Sequence, residues 1–437
     1  MLNPASKFES LLLALFFVLL PTQFGKHFWP DFAIVAGIRI DYLSPTLYST
    51  DILLIILFVS FFIRILVRKH LRVVSNKTQI AVLSFLFIFL LCNVVFSLRP
   101  PLAMYGASKY LEFFFLGLYL AVTIKRFAQF KFIAFLFALS ASFESFLAIF
   151  QYVSQSSLNG IFYFFGERAF TGATPGIANV SLAGDLILRP YATFPHPNVL
   201  AGFLLVAILF VWFFLRKSSS RWVQLFSAVS LLLCSVALLL TFSRLPIALW
   251  IIFVASVLLR LLLVKLQTFK QKIFANCLLL VAIVSFSTLP ISHDLITRFT
   301  QTSFTEESFV ERSELLSAAF MMFQRHPLFG VGLDNFLPAL APLQKPMPLN
   351  LYLQPVHNIF LLIATELGLV GFMLFCTLFA ASYRRISRQD KKVKYFLFLA
   401  LSVILVTGMF DHYWLTLQQG QLLFATILGL SFAKKAV

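Results

Sequence analysis

A few short stretches of this chain set out residues that can handle a proton or an anion. At Pro355-Val-His357-Asn358 a polar loop turns into a long apolar helix, with His357 and Asn358 read as its first two residues. An imidazole with a pKa near 6.5 can take a proton from a hydroxyl nucleophile or hold that nucleophile in line. The plainer alternative is that His357 and Asn358 cap the helix. Thr241-Phe-Ser243-Arg244-Leu-Pro246 places two hydroxyls and a guanidinium in one tight turn. That combination suits phosphate oxygens through bidentate guanidinium bonds and hydroxyl donors, although an arginine there can also reach harmlessly to lipid headgroups. Arg189 opens the run Arg189-Pro-Tyr-Ala-Thr-Phe-Pro195-His196-Pro197-Asn198 and is a natural anion ligand. Pro197 fits the first turn of a helix, so His196 and Asn198 are read either as caps or as substrate contacts.

The elements that must position these residues are membrane helices. The chain has 437 residues, is 60% hydrophobic with a mean hydropathy of +0.91, and contains 55 Phe, more than a soluble core can hide. The expected fold is all-α, a polytopic transmembrane bundle. Cys92, Cys234, Cys277 and Cys376 lie in apolar segments without paired or metal-type spacing and read as small buried hydrophobes. The apolar run from Leu11 to Leu20 lacks a small-residue cleavage site and is taken as a retained first span.

Runs long enough to cross the roughly 30 Å bilayer core occur near residues 9–25, 50–67, 79–98, 103–124, 132–153, 196–215, 222–241, 246–264, 273–290, 357–382, 395–411 and 417–433, about twelve spans in a single integral-membrane domain over residues 1–437. Alternating the loops puts most Lys and Arg on the side of the two termini. That side is therefore expected to be cytoplasmic, and the net charge of +18 is a topology signal facing anionic lipid, not a nucleic-acid site. The long connections, 154–195 and 291–356, then both fall on the outer face, where the chemistry is expected.

Charge inside the spans is costly and marks candidate sites. Lys109 and Glu112 share a helix face three residues apart and are read as a structural pair, while Glu144 and Glu366 have no sequence-local partner and are read either as pairing with an arginine from another span or as marking a proton path. In the larger loop a helix is expected over 307–324. Phe309, Leu316, Ala319, Phe320 and Phe323 line up as its apolar stripe, with Arg312 inside the stripe and Arg325 outside it. An arginine on the packed side of such a helix must find an anion, so Arg312 is the stronger candidate. The Pro-studded run 338–355 reads as a mobile flap.

These residues resemble the O-antigen ligase and polymerase superfamily of bacterial envelope glycan enzymes. His357-Asn358, nine residues, then Gly368-Leu-Val-Gly371 is similar to that family's His-Asn-x9-Gly-x-x-Gly signature. Arg325-His-Pro-Leu-Phe-Gly-Val-Gly-Leu-Asp-Asn-Phe336, the helix carrying Arg312, Thr241-Phe-Ser-Arg244 and Phe194-Pro-His-Pro-Asn198 follow the same order, so the likeness covers residues 190–420.

The resemblance implies a glycosyltransferase without cofactor or metal. The donor would be a glycan on undecaprenyl pyrophosphate, and an acceptor hydroxyl on an envelope glycan, lipid or other polymer would displace the lipid pyrophosphate. Arg244 and Arg312 would neutralise the leaving group, with Arg189 as a third cation, and His357 would orient or deprotonate the acceptor. Ser243, Asn358, His196 and Asn198 would line the substrate, and Gly368 and Gly371 would be structural. The absence of a Gly-rich phosphate loop, an Asp-x-Asp pair or a His/Cys metal cluster in the sequence agrees with this. The implied location is the bacterial cytoplasmic membrane. A polymerase joining lipid-linked repeats shares the donor chemistry, and a transporter without chemistry is the alternative from another class, although transporters tend to show paired repeats and broken helices at the midplane.

Overall fold

The computed structural model describes residues 7–67, 77–182, 184–217, 220–263, 307–343 and 353–433. Eight helices come first: α1 (Lys7–Leu19), α2 (Ser49–Val67), α3 (Lys77–Val95), α4 (Pro100–Thr123), α5 (Phe127–Ser154), α6 (Pro197–Lys217), α7 (Arg221–Leu240) and α8 (Arg244–Leu263). Then follow α9 (Glu307–Arg325), the short α10 (Phe336–Leu340), α11 (Ile359–Ser387), α12 (Lys391–Gly408), the short α13 (Tyr413–Thr416) and α14 (Gln418–Phe432). Helices therefore coincide with the expected apolar runs, apart from 273–290, which lies outside the described residues, as do Cys277 and much of the expected flap. Among the described residues, α2, α5, α6 (to Arg216), α7 and α11 are long and apolar enough to cross a membrane. At 13 residues α1 is shorter than the expected first run.

Among the described residues, strand is confined to three antiparallel two-stranded ribbons in the connections. β1 (Gly25–His27) pairs with β4 (Thr46–Tyr48), β2 (Ile34–Val35) with β3 (Ile38–Arg39), and β5 (Asn179–Leu182) with β6 (Asp185–Leu188). The bundle centres on α6, which packs against α5, α7 and α12 and is buried almost throughout. The ring of Phe210 on α6 stacks on Phe137 of α5 at 4.1 Å and meets Phe396 of α12 at 4.5 Å. Apolar side chains gain about as much facing lipid as facing protein, so close aromatic packing of this kind, not solvent exclusion, selects the neighbours.

Charges inside the bundle are met by partners from distant segments. Lys109 Nζ lies 3.0 Å from Glu112 and also 2.9 Å from Asp51 of α2, making a three-membered group. Arg64 pairs with the buried Glu9 at 2.6 Å, and Tyr119 donates to the same carboxylate. Glu144 meets no arginine among its described partners. It accepts from the backbone N–H and the hydroxyl of Thr193, which anchors the segment leading to His196.

The path of α11 depends on Gly368. Its φ of 66° and ψ of −168° break the helix, and a Cβ there would collide with the Leu328 carbonyl group. The turn after α9 fits into that break. Leu369 N–H donates to Pro327 O (2.7 Å), while Val331 and Gly332 N–H donate to Thr365 O and Glu366 O (3.0 Å each). Asn93 of α3 completes the junction, donating to Phe329 O and Glu366 O and accepting from Leu333 N–H. Glu366 accepts from the Phe336 N–H. Gly371, one turn on, is buried, and a Cβ there would meet Leu367. We expect Gly368→Ala to cost about 2 kcal/mol or more, since a left-handed residue with Cβ is strained and the backbone contact is lost as well. A melting temperature in detergent unchanged from wild type would contradict this.

Candidate active site

Two corrections concern the elements that carry the candidate residues. First, α11 begins at Ile359, so His357 and Asn358 are not its first helical residues. Asn358 is the N-cap, its Oδ1 accepting from the N–H groups of Phe360 and Leu361 at 2.9 Å each, and its Nδ2 donates to Met409 O. The capping reading of Asn358 thus describes its contacts. His357, one residue earlier, is free of the helix. Second, α9 is packed through Leu315, Ala318, Ala319 and Met322, whereas Leu316 and Phe320 of the expected stripe are 51% and 54% exposed. Arg312 is exposed as well, and so does not sit on the packed face. A period of 3.6 marks an apolar side, but next to lipid the apolar side need not be the packed one.

Asn198 and Asp411 bring the candidates together. Asn198 Oδ1 accepts from Arg189 Nη2 (2.8 Å) and from Ser243 Oγ (3.2 Å), and its Nδ2 donates to Asp411 Oδ2 (3.3 Å). One amide therefore joins the 154–195 connection, the turn between α7 and α8, and the turn between α12 and α13. Asp411 Oδ1 accepts the His412 N–H (2.8 Å) and lies 3.5 Å from Nδ1 of His357. That nitrogen is shielded from solvent and has no closer hydrogen-bond partner. With Nδ1 turned to Asp411, Nε2 is the ring nitrogen left for a substrate hydroxyl. Sequence reasoning missed Asp411 and His412. The signal available was an Asp-His pair at a span boundary, and a histidine proposed for proton transfer requires an orienting group.

The arginines take different places. Arg189 is 7% exposed and donates from Nε to Thr241 O at 2.7 Å, so it braces the α7–α8 turn. Phe242 in that turn has φ 52°, a left-handed bend that sets Ser243 and Arg244 at the start of α8. Arg244 is half-buried beside Ser243. Arg312 is close enough to His412 for its charge to oppose protonation of that ring. The segment before His357 is tied to α9 by a Gln354–Glu311 hydrogen bond, and Thr365 of α11 donates to Ala319 O of α9. Arg325 is exposed.

Burial and neighbouring charge keep the surrounding imidazoles neutral. His412 is pushed down to about 3 by burial and by His357, against the pull of Asp411. His196 is likewise lowered to about 3 by burial and by Arg189. Its Nδ1 accepts from Asn198 N–H at 3.1 Å, a local cap that fixes its tautomer. Burial alone would raise the Asp411 carboxyl, but the His357 contact outweighs it and holds the group below the usual carboxylate range. An unfolded histidine takes its proton near pH 6.5, a folded one here not until about 3. Across that window the unfolded state binds more protons, so stability falls as pH is lowered, by up to about 1.4 kcal/mol per pH unit for the buried His412 and by less for the partly exposed His196. Asp411 adds a loss only at the acid end, as pH falls through its depressed value. Melting temperature is therefore expected to drop steadily between pH 7 and pH 5, and a flat profile would contradict neutral burial.

His357, Asp411 and His412 also place one ligand atom each within 4.8 Å of one another, a donor set that a zinc-type ion accepts. His412 Nδ1 is already paired with Thr416 Oγ1 at 2.7 Å, which leaves Nε2 as its free donor.

None of the curated proteins is similar enough to match. Residues 228–376, the segment that carries Ser243, Arg244, Arg312, His357, Asn358, Gly368 and Gly371, match the family model described as O-antigen ligase, which supports a likeness of this part of the chain to the O-antigen ligase superfamily.

Proposed function

We propose that the protein moves a glycan from an undecaprenyl-pyrophosphate carrier to a hydroxyl of an envelope acceptor, at the outer face of the bacterial cytoplasmic membrane, with both termini cytoplasmic. The observation that carries this reading is the His357–Asp411 contact beside the Ser243-Arg244 turn and within electrostatic range of Arg312. In the proposed step, Nε2 of His357 takes the acceptor proton as the hydroxyl oxygen attacks the anomeric carbon. A new glycosidic bond forms, the bond from that carbon to the phosphate oxygen breaks, and the electron pair leaves on the lipid pyrophosphate. Asp411 stabilises the imidazolium that results, and Arg244 and Arg312 neutralise the charge gathering on the phosphate. Asn198 and Arg189 act through position, holding Ser243 and Asp411 together.

In this reading the arginines do the work a metal does elsewhere. Transfer by purified protein should then be unchanged after chelation with EDTA. Loss on chelation and recovery with zinc would instead favour a second reading, in which His357, Asp411 and His412 hold an ion.

The function is tested by the surface-glycan and lipid-linked-glycan profile of a deletion strain, rescued by wild type or by His357→Ala. Long chains stranded on the carrier, restored by wild type alone, support a ligase. Acceptor capped with a single repeat indicates the polymerase. An unchanged profile removes the proposal and favours transport.

A further inference from the structure

The 154–195 connection builds a cavity of about 290 Å³ beside the candidate active site, lined among others by Arg168, Phe170, Thr174, Gly176, Tyr191 and His196. We propose that this cavity is a glycan subsite for one sugar unit bearing a carboxylate, held by Arg168 against the wall formed by Phe170 and Tyr191. The inference rests on the glycan-transfer reading. It adds the chemical class of sugar and a set of residues that lies outside the segment matched by the family model.

Size comes first. At about 290 Å³ the cavity is at the small end of ligand pockets, which run from roughly 300 to 1,000 Å³. That is room for a pyranose ring and its substituents, not for an oligosaccharide. Gly176, in a left-handed turn at φ 77°, has nothing within 4 Å of where a Cβ would be, so the rim is open.

The wall is fixed in advance. Tyr191 is buried, its hydroxyl accepts from Ala178 N–H, and its backbone N–H donates to Gln151. Its ring lies 5.0 Å from Phe170 and 6.1 Å from His196. Arg168 sits 5.5 Å over the Tyr191 ring and donates from Nη2 to Pro195 O at 2.8 Å. Among the described residues no carboxylate pairs with Arg168. The adjacent Glu167 is turned inward, engaged by Gln151 and by the N–H groups of Leu158 and Asn159. A guanidinium held in place, with no carboxylate of its own, loses little freedom on taking one from a ligand.

The charge count argues for carboxylate over pyrophosphate. The cavity has a single cationic side chain, one threonine hydroxyl and aromatic carbon, a match for a singly charged sugar. A pyrophosphate is better served by Arg244 and Arg312. Location connects the cavity to the chemistry. His196 lines the cavity and is capped by Asn198 N–H, and the Asn198 side chain bonds Asp411, which in turn faces His357. A sugar in the cavity is thus linked to the reacting centre through His196, Asn198 and Asp411, on either the donor or the acceptor glycan.

The test uses full-length protein in nanodiscs, with a tetrasaccharide of alternating glucuronic acid and N-acetylglucosamine and its carboxyl-reduced counterpart as probes. Wild type is expected to bind the acidic probe about tenfold or more tightly than the reduced one, the scale of a charge-assisted hydrogen bond. Arg168→Gln, which keeps a donor for Pro195 O, should erase that preference. Thr174→Phe, which fills the cavity, should weaken both probes, and His357→Ala should leave the preference intact. Equal binding of the two probes, or a preference that survives Arg168→Gln, overturns the proposal. Because binding is read without turnover, a failure of the transfer reading would show as charge-selective binding without product. In a transfer assay, a higher KM for donor in Arg168→Gln assigns the sugar to the donor and a higher KM for acceptor assigns it to the acceptor. A change in kcat alone overturns the subsite.

Discussion

Replacing His357 by alanine is expected to lower glycan transfer by about 10²- to 10⁴-fold, the usual contribution of a positioned general base. The protein should still insert and melt as wild type does. The His357 side chain has no hydrogen bond to Asp411 shorter than 3.5 Å and caps no helix, so little of the fold depends on it. The distinguishing measurement pairs this variant with Asp411→Asn. If Asp411 sets the tautomer and stabilises the imidazolium, its loss should depress kcat by one to two orders of magnitude with little change in KM for the donor. Asparagine keeps the shape and can still contact Asn198, so a collapse of the protein on this substitution would mean that Asp411 is mainly a structural pin. Full activity in His357→Ala would remove the proposed base.

The second large effect concerns the cations. Arg244→Ala and Arg312→Ala should each lower kcat by about 10²- to 10³-fold, the scale seen when one group that stabilises developing charge is removed. The two positions differ in how they are held, and that yields a finer expectation. Arg244 follows directly on the Ser243 contact with Asn198, so Arg244→Lys keeps charge but loses the planar fork and should recover only part of the rate. Arg312 is exposed on α9, and a lysine there should recover more. The readout is single-turnover transfer from a lipid-linked donor. Wild-type rates for both alanine variants would sink the arginine role.

Some of this arrangement was legible in the chain. Pro197 and the run of apolar residues after it placed α6 within a residue or two, whereas the uninterrupted run expected over 357–382 gave no sign of the break that α11 makes at Gly368. The turn chemistry of Thr241-Phe-Ser-Arg244 was visible because few residues were available to make it. The capping by Asn358 and by His196 was open as an alternative, and the contacts take that form.

Other parts were not legible. Arg189 carries the composition of a free anion ligand, but its Nε is committed to Thr241 O across 52 residues of sequence. The stripe on α9 was chosen by period, and the periodic signal of an apolar helix in a membrane is ambiguous between lipid and protein. Asp411 carries no signal in the sequence that ties it to His357, because no local spacing links the two.

By itself, then, the sequence determined the helical class, the positions of most apolar helices and the identity of the residue types able to move a proton or hold phosphate. These depend on hydropathy over a span, on proline and glycine at helix ends, and on side-chain chemistry, all of which are local. Only the tertiary structure decided that Asn198 and Asp411 join four separate segments, which face of α9 packs, and that Arg168 stands over an open cavity beside His196. Those outcomes are set by contacts between residues tens to hundreds of positions apart, where close packing and hydrogen-bond partners select among faces that hydropathy leaves equal.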